Sequence, residues 1–504
     1  MDCKSKHSPL FYQAKKKNIL FERNAFIFTF ISNFYICTTD HQRYFLTFNI
    51  LFMKDSVSAP MSRRGFIGSS TLASAGFIIV PSNVVSGLGH ISPSDKLNVA
   101  GIGIAGMGKG NISRVAKTEN IVALCDIDWR EPTQKVFALY PKAKQYKDYR
   151  LMLDNQKDID AVIIATPDHT HAIISLEAIR RGKHTFTQKP LTHTVHEARV
   201  LALAAREYKV ATQMGNQGQA GEATRRLREM IWDGVIGQIH EVHVWTDRPN
   251  RGFIDTYWPQ GVARPIDTPP VPSEVDWDLF IGPAPMRPYN PAYHPFSWRG
   301  WWDFGTGSLG DIGCHSLDPV FRALRLKYPT SIQAVSTLVN TESYPSGSMI
   351  KYEFPARENM VPVSLTWYDG GLRPMRIPEL DEGMQMGSGG TLYIGEKGKI
   401  LDDKILPKSL REAYKVPTAH LPSSPGHEEE WINACKGGAP AGSNFNWAGP
   451  LTETVLMGNI ALRKELKEKM STQALNWDPE KFSFTNLPEA DKFLHYQYRD
   501  GWKL

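Results

Sequence analysis

The stretch from Leu97 to Asp126 constrains the fold of this chain more than any other. An apolar run over residues 97–102 leads into a glycine cluster, then into a polar helical stretch and a second apolar run over 121–125. This order predicts a strand, a tight turn, a helix and a second, parallel strand. Glycines at such a turn let the backbone approach a pyrophosphate, and the helix that follows presents unpaired N–H groups to the anion. Asp126, directly after the second strand, is placed to accept a hydrogen bond from a ribose hydroxyl.

The glycines fit this pattern in two registers. Gly101, Gly103 and Gly106 match G-x-G-x-x-G by letter, but that register ends the first strand early. The alternative register leaves a six-residue strand and places Asp126 eighteen residues past the last glycine. Ala105 then stands where a second glycine is usual, which weakens the motif without abolishing it. We therefore expect the cofactor contacts of this turn to come from Gly103, Ala105, Gly106, Met107 and Gly108.

The 60 residues at the start of the chain do not resemble the beginning of a domain. They contain a lysine run at 15–17 and an apolar stretch without helical periodicity, so we interpret residues 1–60 as an extension produced by a misassigned start codon, with Met61 as the first residue. Residues 61–95 begin with Ser62-Arg63-Arg64 and continue into a weakly apolar run that ends before Pro81. This segment looks like a twin-arginine export signal followed by a linker, and its run of about sixteen residues is too short for a membrane anchor. We predict a periplasmic or exported protein.

The net charge of +6 comes mostly from that N-terminal region. Residues 1–60 hold eight Lys or Arg against four Asp or Glu, and residues 61–95 hold two against one, so the remaining chain is close to neutral. We therefore expect no nucleic-acid partner. The five cysteines are few and widely separated, which indicates neither a disulfide framework nor a metal site.

After Asp126 the apolar runs and helical stretches continue to alternate. The run at 161–165 ends in the sequence TPDHTH, the run at 184–187 ends in Gln-Lys-Pro, and the run at 210–214 ends in Gly-Asn-Gln. Alternating strands and helices predict a parallel sheet of the Rossmann type, which binds ligands at the carboxyl ends of its strands. We assign this domain to residues 96–217. Its expected cofactor contacts beyond the first turn are Asp126, Thr166, Pro167, His169, His171, Gln188, Lys189 and Asn216.

The nucleotide turn, the TPDHTH turn and the Lys-Pro step together resemble the glucose-fructose oxidoreductase and inositol dehydrogenase family. In that family the tripeptide is usually Glu-Lys-Pro, so Gln188 departs from the pattern and brings no charge. The resemblance implies that Lys189 reaches both the nicotinamide ribose and the substrate hydroxyl. It also implies a homo-oligomer.

From about residue 218 to the C-terminus, strands outnumber helices. We predict an α+β domain with a large, mostly antiparallel open sheet, giving an α/β chain of two main domains. Asp311 and His315 lie four residues apart, a spacing that puts both on one face of a helical turn, and a carboxylate can orient an imidazole as a general base. The resemblance implies that both are catalytic. Pro319 is expected to interrupt this helix, with Asp318 capping its second part.

Several tryptophans lie in the loops of this second domain. Because aromatic faces suit the C–H faces of sugars, we expect Trp258, Arg299 and Trp302 to contact a carbohydrate; packing of the long loops is an equally good explanation.

The resemblance implies an oxidoreductase that uses NAD(H) on a sugar or sugar derivative, with His315 as base and Lys189 assisting. Asp126 would repel the 2′-phosphate of NADP(H). Because an exported enzyme has no pool of free NAD, we expect the cofactor to stay tightly bound and to be regenerated within each turnover. Two alternatives remain open: a glycosidase that uses recycled NAD by oxidation and elimination, and a non-catalytic sugar-binding module.

Overall fold

The computed structural model describes residues 95–252, 255–415 and 421–504, together with the backbone of two strands near the N-terminus. The chain divides into two compact units, Met1–Pro81 and Ser82–Leu504. In the first unit, β1 (Thr29–Phe34) pairs antiparallel with β2 (Leu46–Leu51). Apart from these strands, the predicted extension over 1–60 lies outside the described residues, as does the predicted export segment up to residue 94.

The second unit begins with a parallel sheet of six strands. Its elements are β3 (Asn98–Ile102), α1 (Gly106–Val115), β4 (Asn120–Cys125), α2 (Glu131–Leu139), β5 (Lys144–Tyr146), α3 (Tyr149–Asn155), β6 (Ala161–Ile164), α4 (Asp168–Arg180), β7 (His184–Thr187), α5 (Val195–Glu207) and β8 (Thr212–Met214). The strand order is β5-β4-β3-β6-β7-β8 and every pairing is parallel. The predicted Rossmann-type sheet is confirmed.

Burial explains why these strands are apolar. All four residues of β6 are buried, as expected of a strand covered by helices on both faces of a parallel sheet. Helix α5 begins with a capping box, in which Thr194 and Glu197 each accept from the other's backbone N–H. Such local signals fix where the helices begin. The loops at the carboxyl ends of the strands are then available to form a binding site.

The rest of the unit holds an antiparallel sheet and further helices. Its elements are α6 (Glu222–Trp232), β9 (Ile239–Trp245), α7 (Trp277–Ile281), α8 (Gly307–Leu324), β10 (Ser331–Ser336), β11 (Ser348–Phe354), β12 (Val363–Tyr368), β13 (Gly390–Gly395), β14 (Lys399–Leu401), β15 (Lys404–Leu406), α9 (Lys408–Ala413), α10 (His427–Cys435), α11 (Phe445–Ala461), α12 (Lys467–Met470), β16 (Leu475–Asp478) and β17 (Ser483–Phe484). The nine strands run in the order β15-β14-β13-β9-β12-β11-β10-β16-β17, and only the β9–β12 pair is parallel. The predicted large, mostly antiparallel sheet is confirmed.

Helix α8 corrects one expectation from the sequence. It runs unbroken through Pro319, so Asp318 does not cap a second helix. Instead the buried Asp318 carboxylate accepts hydrogen bonds from Arg322 at 2.7 Å and from the Trp447 indole at 2.7 Å. These contacts hold the helix together where proline removes one backbone N–H donor.

Elements late in the chain return to the first sheet. Helix α11 packs on α5, and Phe445 and Val455 belong to the core shared with the antiparallel sheet. Helix α10 packs against α1, where Glu428 reaches Asn111. No helix in the described part of the chain is long and apolar enough to cross a bilayer.

Candidate cofactor and active site

A cavity of about 680 Å³ lies at the carboxyl ends of the parallel strands. The residues that follow β3, β4, β6 and β7 all line it, as the position of ligands on such sheets predicts. Of the residues singled out in the sequence, the cavity is lined by Gly103, Ala105, Gly106, Met107, Asp126, Thr166, Pro167, Gln188, Lys189 and Arg299. Phe296, Trp298 and Arg299 of the second domain contribute to its wall.

The turn after β3 has the geometry of the second register. Gly103 adopts φ +74°, and a Cβ there would lie 2.7 Å from the backbone of Ala165. A Cβ on Gly108 would lie 1.9 Å from the Gly103 carbonyl oxygen, so Gly108 is needed for α1 to pack against the turn. Gly108 therefore supports the turn from behind, whereas Gly103 and Gly106 face the cavity.

The beginning of α1 is an open cradle for an anion. Ala105 precedes the helix in an extended conformation, and no side chain caps the free N–H groups of the first turn. Gly106 adopts φ +52°, and a Cβ there would meet no atom within 4 Å. This uncapped, glycine-lined helix start fits the pyrophosphate of a dinucleotide.

Asp126 is positioned by backbone donors at the end of β4. Its carboxylate accepts from Ile104 N–H at 2.9 Å and from Asp128 N–H at 3.1 Å. Burial raises the pKa of Asp126, and these backbone hydrogen bonds act in the opposite direction. A carboxylate has acceptor capacity beyond two bonds, so Asp126 can also take a ribose hydroxyl.

Arg130, the nearest arginine in sequence to Asp126, is paired elsewhere. Its Nε donates to the Asp128 carboxylate at 2.8 Å, and His294 Nε2 lies 2.8 Å from the same carboxylate. Although burial alone would raise the pKa of Asp128, hydrogen bonds from His294 and Arg130 hold it below its usual range. Arg130 is therefore already neutralised by a carboxylate.

A second cluster joins Lys189 to the antiparallel domain. Lys189 Nζ donates to the Asp311 carboxylate at 2.7 Å and to the Asp311 carbonyl oxygen at 2.7 Å, and Arg299 Nε donates to the same carboxylate at 3.1 Å. Burial opposes ionisation of Asp311, but Lys189 and Arg299 lower its pKa to about 2. The third N–H of Lys189 has no partner among the described residues and points to a role beyond this ion pair.

His315 lies one helical turn from Asp311 on α8. The sequence predicted that Asp311 orients it, but the carboxylate is bonded to Lys189 and Arg299, and neither ring nitrogen of His315 is hydrogen-bonded to a described residue. Burial, followed by the charge of Lys189, lowers the pKa of His315 to about 4. The imidazole is therefore neutral at pH 7. Neither His315 nor Asp311 is among the described residues that line the 680 Å³ cavity.

The two histidines of the TPDHTH turn pack in the interior. His169 places Nε2 at 2.8 Å from the Phe280 carbonyl oxygen and Nδ1 at 3.1 Å from that of Phe304. His171 lies with its two nitrogens 2.8 Å from the carbonyl oxygens of Thr166 and Pro190. Neither ring lines the cavity, as the predicted cofactor contacts would require. His169 joins the TPDHTH turn to the second domain, and His171 joins that turn to the loop after β7.

Trp258 and Trp302 are also buried, with 3% of each residue exposed. Neither is among the described residues that line the cavity. Trp258 donates its indole N–H to Gln260, and the Trp302 ring packs against Tyr344 with 3.7 Å between ring centroids and 35° between the ring planes. Loop packing accounts for both. Asn216, predicted to contact the cofactor, is also buried and does not line the cavity, although both polar atoms of its side chain lack a hydrogen-bond partner in the described structure.

Gln188 is held by a chain of side-chain amides. Its Nε2 donates to Asn111 Oδ1 at 2.9 Å, and Asn111 Nδ2 donates to Glu428 Oε1 at 2.9 Å. Glu428 also accepts from Arg114 Nε at 2.6 Å. The sequence did not indicate this chain, because Glu428 lies more than 300 residues from Asn111.

Asp168 is a cavity residue that the sequence interpretation did not select, although it lies inside the TPDHTH turn. It is 2% exposed and accepts a hydrogen bond from Thr306 at 2.6 Å. Burial raises its pKa to about 7, against the opposing effects of Thr306 and Lys189. No set of three or more His, Cys, Asp or Glu side chains in the described ranges is arranged to hold a metal ion.

These features define a dinucleotide-binding α/β oxidoreductase fold with an antiparallel second domain. The model described as "Oxidoreductase family, NAD-binding Rossmann fold" matches residues 96–216, and "Oxidoreductase family, C-terminal alpha/beta domain" matches residues 220–353. The chain belongs to this family, the one that includes glucose-fructose oxidoreductase and inositol dehydrogenase.

Curated relatives carry two kinds of name. Inositol 2-dehydrogenase of Salmonella paratyphi B is 30% identical over 152 residues, which cover 29% of this chain and 44% of the relative. Alpha-N-acetylgalactosaminidase of Shewanella oneidensis is 30% identical over 202 residues, which cover 35% of this chain and 43% of the relative. The matches thus span less than half the length of these two relatives.

A solved structure with a similar fold is the WlbA dehydrogenase from Bordetella pertussis in complex with NADH and UDP-GlcNAcA. It is 17% identical, with a TM-score of 0.51, and the superposition covers 73% of this chain and 97% of that one. At this identity the likeness shows the fold.

Proposed function

We propose that this protein binds NAD(H) in the 680 Å³ cavity and oxidises a hydroxyl of a sugar or sugar derivative. One observation carries the proposal: a single cavity contains the glycine turn, Asp126 and Lys189. Asp126 follows β4 and Lys189 lies just after β7, and these two strands are three strand intervals apart, or about 14 Å at ~4.8 Å each. The two ends of the cavity are thus separated enough for an extended dinucleotide.

The residues at the Lys189 end divide the chemistry between them. When bound, NAD(H) supplies hydride acceptance and return at its nicotinamide ring. The free N–H of Lys189 can donate to the substrate oxygen and stabilise its developing charge, while Asp311 holds the ammonium group in place. Neutral His315 can accept the hydroxyl proton.

The charges beside the ribose position favour NAD(H) over NADP(H). Asp126 brings a carboxylate there, and Arg130, which could otherwise pair with a 2′-phosphate, is bonded to Asp128. The predicted homo-oligomer stays a prediction.

The alternative is a glycosidase that oxidises the sugar transiently, eliminates the aglycone and reduces the product again with the same NAD. The relative named alpha-N-acetylgalactosaminidase favours this possibility. Export through the twin-arginine pathway, which we propose on the sequence of residues 61–95, fits either activity if the cofactor stays bound.

The test begins with protein purified without added cofactor, then denatured, with mass spectrometry of the released nucleotides. We expect near-stoichiometric NAD(H). Free sugars and aryl glycosides are then supplied to the native protein. NADH accumulation with free sugars supports the dehydrogenase, and aglycone release without net NADH supports the glycosidase. An empty site that also fails to bind added NAD would contradict the proposal.

A further inference from the structure

The last ten residues of the chain pack against α7 of the second domain and against the parallel-sheet domain. Arg499 anchors this tail: its NH1 donates to Asp278 at 2.6 Å, its Nε donates to the Gly282 carbonyl oxygen at 3.0 Å, and its own N–H donates to Pro283 at 2.9 Å. Tyr498, Trp502 and Leu504 pack against the core around β4 and β6. The tail is therefore held by hydrogen bonds to the second domain and by apolar packing on the parallel-sheet domain.

Trp502 reaches the cavity from this tail and lines it beside Tyr149 and Ile174. The Arg150 guanidinium lies 4.7 Å from the centre of the Trp502 ring, and the Asp148 carboxylate holds it through bonds of 3.0 Å to Nε and 2.7 Å to NH2. The indole is thus stacked on a fixed cation and pre-ordered.

The order of the strands shows which end of the cavity Trp502 occupies. Cys125 ends β4, and Lys147 and Asp148 follow β5, the edge strand next to it; all three line the cavity with Trp502. Lys189 follows β7, on the other side of the sheet centre. Trp502 therefore lies at the end of the cavity beyond Asp126, away from the Lys189 cluster.

We propose that Trp502 stacks on the adenine ring of the cofactor, so that the C-terminal tail closes the adenine end of the site. This inference rests on the proposed function, since it needs a dinucleotide with its ribose at Asp126. A flat aromatic base is the ligand group that a pre-ordered indole and the apolar Ile174 side chain recognise. The stacked tail gives a physical reason for slow cofactor release.

The test compares Trp502→Ala and Trp502→Phe with Leu504→Ala in the full-length protein. Leu504 packs in the same tail without lining the cavity, so its truncation controls for loosening of the tail. Calorimetric titration of cofactor-stripped protein uses three probes: AMP and ADP-ribose, which carry adenine, and nicotinamide mononucleotide, which does not. Circular dichroism checks that each variant is folded.

Loss of one aromatic stack predicts that Trp502→Ala raises the Kd for AMP and ADP-ribose roughly 5- to 150-fold. Trp502→Phe should lose less, Leu504→Ala should bind normally, and mononucleotide binding should not change. Unchanged binding of AMP and ADP-ribose to Trp502→Ala overturns the inference alone, as does an equal loss for the mononucleotide. Failure of the wild-type protein to bind ADP-ribose overturns the proposed function and this inference together.

Discussion

Gly106→Ala separates the binding role of the glycine turn from its cost in stability. Gly106 adopts φ +52° and a new Cβ would clash with nothing. The substitution therefore lowers the free energy of unfolding only by the strain of alanine in a left-handed backbone conformation, about 1–2 kcal/mol. Gly182 is a matched control. It adopts φ +72°, also has no atom within 4 Å of a Cβ, and lies in an exposed turn before β7. We expect Gly106→Ala and Gly182→Ala to lower stability by similar amounts.

The two variants should differ in cofactor affinity. A methyl group on Gly106 lines the cavity where a pyrophosphate would approach the first N–H groups of α1. Loss of one or two hydrogen bonds to a charged group costs about 2–4 kcal/mol, which raises the Kd for NAD roughly 30- to 1,000-fold. Urea unfolding and calorimetric titration with NAD measure the two effects. The reasoning is refuted if Gly106→Ala binds NAD within about twofold of Gly182→Ala.

Three further substitutions test the residues around Lys189. His315→Ala should lower kcat by about 10²- to 10⁴-fold with bound nucleotide unchanged by mass spectrometry; normal turnover would exclude it as the base. Asp311→Asn leaves Lys189 and Arg299 without their shared counter-charge and should cost about 3 kcal/mol in urea unfolding, whereas Glu131→Gln, at an exposed pair, should cost nothing measurable. Burial raises the pKa of Asp168 to about 7, so its folded form binds a proton that the unfolded form has released, and stability should fall as pH rises from about 4 to 7. In Asp168→Asn that fall should be reduced in unfolding curves measured across this range, and an identical pH profile would contradict the assignment.

The first sheet could be predicted because its signals are local. The glycine turn, the apolar strands and the polar residue after each strand stand within about 30 residues of one another, and the carboxyl ends of parallel strands meet at one edge. This is why Gly103, Asp126, Thr166 and Lys189 line one cavity. The mostly antiparallel second sheet also followed from the excess of predicted strands over helices after about residue 218.

The partners of the site residues could not be predicted in the same way. Asp311 and His315 have the spacing of a helical pair, but the carboxylate bonds to Lys189, 122 residues away, and to Arg299. A carboxylate that can bond either to a neutral imidazole or to two cations bonds to the cations, because their charges are opposite to its own. Trp258 and Trp302 are a second example. Aromatic side chains suit a sugar site, and only the fold shows that both are buried.

The amide chain from Gln188 bears on the missing charge of the usual Glu-Lys-Pro step. Glu428 brings a carboxylate to the far end of this chain, two hydrogen bonds from Gln188, through Asn111. Arg114 donates to the same carboxylate at 2.6 Å, so the positive charge of Arg114 largely cancels the negative charge of Glu428. Hydrogen-bonded amides can polarise one another, but by a fraction of each bond rather than by a unit charge. The amide chain therefore holds Gln188 in place without bringing a unit negative charge beside Lys189, and Asp311 is the ionised carboxylate bonded to that lysine.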